Sequence, residues 1–62
     1  MKRISLDQLT EVIEKLERTE RMYCDVFCYN NPEHAAERRK QSNIASMAYW
    51  QVYGMIKDEM EG

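Results

Sequence analysis

Glycine, proline, cysteine and histidine are all scarce in this 62-residue chain, at two, one, two and one residues respectively. Two glycines, Gly54 and Gly62, cannot form a glycine-rich loop that cradles a phosphate. Two cysteines and one histidine fall short of a disulfide framework, a closed zinc site or an iron–sulfur cluster. Charge of one sign is missing too: nine basic against eleven acidic residues give a net charge of -2, so no overall field draws the chain to nucleic acid or an anionic membrane. The longest apolar runs, such as Val26-Phe27-Cys28-Tyr29, are too short to span a bilayer, and Met1 to Ser5 lacks the apolar core of a signal peptide. A cytoplasmic, non-membrane protein is expected, with Cys24 and Cys28 kept as thiols.

What is present is helical periodicity. Leu6, Leu9, Ile13, Leu16, Glu20, Tyr23, Phe27 and Asn30 follow a 3-4-3-4 spacing that stops at Asn31-Pro32. Ser5 with Gln8 three residues later forms a capping box, Ile4 is placed to staple onto Leu9, and Asp7 suits the positive end of the helix dipole. Glu11-Lys15, Glu14-Arg18 and Glu17-Arg21 are acid-before-base pairs at i,i+4, the signature of a solvated face. Val12, Thr19 and Val26 flank the seam at seven-residue intervals and widen it, which suits a bundle of several helices better than a two-stranded coiled coil.

Asn31 as N-cap, Pro32 at the first helical position and Glu33 after it start a second helix. The expected fold is all-α, an antiparallel hairpin: first helix about 6–30, turn about 30–32, second helix about 32–60. So short a turn places Phe27 near Ala35 and Ala36, Leu16 near Ala45 and Met47, Leu9 near Val52 and Tyr53, and Leu6 near Met55 and Ile56. A chain this small buries only about 60% of its unfolded surface, so a lone core is marginal. Self-association into a homodimeric four-helix bundle is the expected supplement.

The second helix divides into unlike halves. From Glu33 to Asn43 only Ala35 and Ala36 are apolar, whereas apolar side chains lie on every side from Ile44 to Met60. Ala45, Ala48, Val52, Met55 and Ile56 form the expected seam with the first helix. Met47, Trp50 and Gly54, with Tyr53 beside them, form a second apolar face, the expected protein interface. A glycine inside a helix costs roughly 1 kcal/mol relative to alanine. Close packing at Gly54, for instance by Trp50 of a second copy, would account for it.

No group of residues points to catalysis. There is no nucleophile–base pair and no two-carboxylate arrangement, so an enzyme is not expected and no cofactor is called for. Cys24 and Cys28 sit on neighbouring turns with His34 beyond, but the spacing is not that of a zinc finger, and packing as small hydrophobes is the simpler expectation. Glu20 occupies a seam position, where a carboxylate needs a partner; Arg38, Gln41 and Ser42 are within reach. Arg38, Arg39 and Lys40 form the only basic cluster and precede Tyr49, Trp50 and Tyr53, an alternative nucleic-acid contact. Three consecutive charges on a helix point in three directions, which favours a solvated face.

In length and hairpin plan the chain resembles Rop-type plasmid copy-number regulators, homodimeric four-helix bundles that bind RNA, without a shared motif. In the acid- and base-rich opening from Leu6-Asp7-Gln8-Leu9 to Glu20-Arg21-Met22-Tyr23, followed by Asn-Pro and an aromatic helix, it is also similar to the small early proteins of lambdoid phages, including those of the exo–xis region. That second resemblance implies a small regulatory or adaptor protein that modulates host physiology or phage development by binding another protein. No functional residue carries over from either.

Overall fold

The computed structural model describes residues 4–61; Met1 to Arg3, on which the expectation of no signal peptide partly rests, and Gly62 lie outside the described residues. A helix α1, Leu6–Asn30, is followed by a single 3-10 turn, Pro32–His34, and a helix α2, Ala35–Glu61. Among the described residues there is no strand. The hairpin measures 46 × 17 × 15 Å.

The start of α1 follows from its cap. The Gln8 amide donates to Ser5 Oγ at 3.1 Å, and the Ser5 amide donates to Gln8 Oε1 at 3.0 Å, so two otherwise orphaned amides are satisfied reciprocally. Ser5→Ala is therefore expected to cost about 0.5–2 kcal/mol, read as a lowered denaturant midpoint with unchanged slope. An unchanged midpoint would show that the box contributes nothing.

The turn works differently from its expected form. Asn31 does not cap the second helix with its side chain; both its backbone amide, at 2.8 Å, and its side-chain amide, at 3.1 Å, donate to the Phe27 carbonyl. It closes α1 instead. Pro32 then opens a 3-10 turn, in which the His34 amide donates to the Asn31 carbonyl at 3.0 Å, and α-helical geometry begins only at Ala35.

Packing between the helices is thin. Among the described residues the buried ones are Leu9, Ile13, Cys24 and Cys28, all on α1, and none on α2 is buried. The α1 face toward α2 runs through Leu6, Leu9, Thr10, Ile13, Glu17, Glu20, Cys24 and Cys28; half-buried Ala35, Arg38, Ser42, Ala45, Ser46, Tyr49 and Tyr53 answer from α2. Pairings of Cys28 with Ala35, Glu17 with Ser46 and Thr10 with Tyr53 set an antiparallel register.

This line differs from the expected seam in rotation. The spacing predicts Leu16 and Tyr23 inside, but they are 42% and 62% exposed, while Cys24 and Cys28 take the inner positions. On α2, Ala45 stays on the inner side, but Val52 and Met55 are 47% and 67% exposed and Tyr53 turns in. Two physical causes act together. A straight helix of 3.6 residues per turn drifts about 20° per heptad from a strict seven-residue repeat, so a seam read as 3-4-3-4 walks off the contact line over 25 residues. Near the turn the small Cys28 side chain also sits against α2, its thiol 3.6 Å from the Ala35 carbonyl, a close approach that small side chains favour over rings.

Candidate protein-binding surface

Rotation of the seam leaves apolar side chains outside. On α1 they are Val12, Leu16, Tyr23 and Phe27, with Thr19 between; on α2 they are Ile44, Val52, Met55 and Ile56, with exposed Ala48 between. At 100° per residue, the α1 stripe lies roughly 100° from that helix's inner line, and the α2 stripe roughly the same angle from its own, in the same rotational sense. Antiparallel helices with stripes so placed present both on one side of the hairpin. A shallow depression near the turn agrees with this, because Phe27 lines it together with Glu37 and Gln41. At the far end, Met55, Ile56, Glu59 and Met60 line another. Along the α1 stripe from Val12 to Phe27 there is no charged side chain. We call this the apolar side.

The opposite side is polar on α1 and mixed on α2. Glu17 reaches across, accepting hydrogen bonds from the Ser46 hydroxyl and from the Trp50 indole Nε1, the latter at 3.2 Å. Trp50 meets Tyr53 edge-on, with ring centroids 5.4 Å apart, and the Tyr53 hydroxyl lies 3.4 Å from Thr10 Oγ1. Of the four residues expected to form one interface, Met47 and Trp50 line one depression with Asn43, Ser46 and Gln51. Trp50 is tethered to α1, Tyr53 and Gly54 are half-buried, and Met47 is exposed. A methyl group added at Gly54 would meet nothing within 4 Å, so no neighbour in the hairpin itself requires glycine there.

Hydrogen bonds from Ser46 and Trp50 hold the Glu17 carboxyl below its ordinary range, with a smaller contribution from the Arg21 charge. A depressed carboxyl favours the ionised form in the folded state. Its contribution to stability is present above the unfolded glutamate value of about 4.3 and is lost as pH falls through the lower folded value. Trp50 is the only tryptophan, so its emission should titrate with a midpoint below about 4.3, and Glu17→Gln should abolish that step. A midpoint at or above the ordinary glutamate value would show that the bridge does not form in solution.

No protein-family model, curated protein or solved structure matches this chain.

Glu20 and Arg38 form an ion pair at 2.6 Å with about a fifth of each side chain exposed, and that hydrogen bond holds the Arg38 guanidinium above its ordinary value. The seam carboxylate thus has one of its three expected partners. Of the basic cluster, Arg38 is committed to this pair while Arg39 and Lys40 are exposed, so the three do not share a surface. Cys24 and Cys28 are buried with sulfurs 3.9 Å apart, and the Cys28 thiol donates to the Ala35 carbonyl at 3.6 Å. Burial raises the Cys28 thiol above its ordinary value, as suits a packed group. His34 is exposed beside Glu33, and among the described residues no three His, Cys, Asp or Glu come together to hold a metal. Among those residues no helix is long and apolar enough to cross a membrane.

Of the residues on this side, Val12 was legible as a widening of the α1 seam, while Val52 and Met55 were expected to face α1 and instead lie outside, 47% and 67% exposed.

Proposed function

We propose that this is a small, non-enzymatic regulatory or adaptor protein that acts by helix-mediated protein binding and self-associates into a four-helix bundle. One observation carries the reading: among the described residues the hairpin buries only four side chains, and it leaves a charge-free stripe on α1 alongside an apolar stripe on α2. Water-exposed apolar area on that scale marks a contact surface. Met47 and Trp50, on the other side, are an adaptable methionine and aromatic patch suited to a second, foreign protein. The resemblance to early proteins of lambdoid phages supports a role for that binding in modulating host physiology or phage development.

A nucleic-acid-binding dimer is the second reading, and Arg39 and Lys40 are its support. Commitment of Arg38 to Glu20 weakens it, because a guanidinium already neutralised by a carboxylate contributes little to a phosphate, and binding of this kind gains its strength from each phosphate neutralised. A photoreactive side chain placed at Met47 in the native host separates the two. Adducts with polypeptide are expected; adducts destroyed by nuclease, with none to protein, would overturn the protein-binding reading.

A further inference from the structure

We propose that the apolar side, and not the Trp50 side, is where a second copy of this chain seats, face to face, to complete a four-helix bundle. This inference rests on the protein-binding reading above and names the occupant of one surface.

The exposed area is too large for a chain that stays alone. It amounts to 5409 Å², whereas a folded monomer of 7.5 kDa exposes about 4,200 Å² by the scaling of area with mass. The surplus, on the order of 1,000 Å², is close to the ~800 Å² that each partner covers in an interface of standard size. Removing it from both copies would bring the protein to the surface economy of an ordinary folded domain.

The two stripes also have the geometry of a bundle core. Val12, Leu16, Thr19 and Tyr23 keep a 4-3-4 spacing, and Ile44, Ala48, Val52 and Met55 a 4-4-3 spacing, so both helices present that periodicity along the same side. A two-fold axis needs only one patch that complements itself. Here α1 supplies the bulk of Leu16, Tyr23 and Phe27, while α2 supplies the shallower Ala48 and Val52. Glu37 and Glu59 lie toward the two ends of the side, where carboxylates can stay in water. The Trp50 side has a depression lined by Met47, Trp50, Asn43, Ser46 and Gln51, but no matching apolar stripe on α1: that edge carries Glu14, Arg18, Arg21 and Asp25, and the indole is already hydrogen-bonded to Glu17.

Stability points the same way. With four buried side chains among the described residues, all on one helix, a lone hairpin has little core. A second copy is present whenever the chain is, so it can supply that core before any foreign partner is met.

Sedimentation of the full chain from nanomolar to high micromolar concentration gives the test. The wild type should run at twice 7.5 kDa. Leu16→Glu and Val52→Glu should each weaken the dimer by about 30-fold or more, the effect typical of a central residue, whereas Met47→Glu on the other side should leave it unchanged. Because a glutamate variant that dissociates can also unfold, a photoreactive side chain at Leu16 in otherwise wild-type protein gives an independent readout. It should join two copies covalently, and the same group at Met47 should not. A wild type that stays monomeric at every concentration, or a dimer cross-linked at Met47 and not at Leu16, would overturn the proposal. Host adducts at Met47 with a polypeptide other than this chain would keep the protein-binding reading in either case, while a monomeric wild type would remove self-association from it.

Discussion

Ile13→Ala is expected to be the most damaging conservative substitution in the chain, at about 2–5 kcal/mol. Ile13 is the least exposed aliphatic side chain among the described residues, at 3%, and lies on the buried line of the hairpin one turn from Leu9. Truncation removes transfer free energy and leaves a cavity between two long helices in which Leu9 is the one other buried aliphatic described. Val12→Ala, one residue away and half exposed, should cost much less in a dilute monomer. Denaturant unfolding at several protein concentrations checks both, since dimerisation makes the midpoint concentration-dependent. Equal losses at Val12 and Ile13 at the lowest concentration would mean that the helices meet along a different line.

Breaking the Glu20–Arg38 pair is expected to have the next largest effect, and its sign depends on how many partners are removed. Glu20→Ala strands a guanidinium with four-fifths of its side chain covered and also removes volume, so the unfolding midpoint should fall clearly, though less than for Ile13→Ala. Glu20→Leu restores volume but still strands Arg38, and should fall between. Replacing both, Glu20→Leu with Arg38→Met, leaves no unpaired charge and adds apolar packing, so the double variant should match or exceed the wild type. A double variant as damaged as Glu20→Ala would show that the pair contributes net stability beyond satisfying its own members. Restoration would mean that its role is to set register.

Those two positions also show how far local signals reach. Glu20 was legible as a seam carboxylate needing a partner, and Arg38 was among the residues that the hairpin's short turn brings near it. Ile13 falls inside the expected seam and stays inside. Leu16 and Tyr23, on the same spacing, turn out, and Cys24 and Cys28 take their place. The α1 apolar stripe is wide enough to hold two contact lines, one through Leu9, Ile13 and Cys24 and one through Val12, Leu16 and Tyr23. Periodicity averages over both.

Most of what depends on neighbours along the chain could therefore be read from the residues alone, the local exception being Asn31, which closes α1 instead of capping α2. The Ser5–Gln8 box starts α1, Asn31-Pro32 ends it, and a turn this short returns α2 antiparallel, because caps, fixed φ and loop length act within a few residues. The rotational phase of each helix was decided only in three dimensions. It depends on which side chains fit when two cylinders approach, and near the turn the line taken is the one that sets the small Cys24 and Cys28 side chains, rather than Tyr23 and Phe27, against α2. That choice drew Tyr53 inward to Thr10 and Trp50 onto Glu17, and left Val12, Leu16, Val52 and Met55 facing out. The free surface of this protein is thus a consequence of packing, which no spacing rule along a single helix contains.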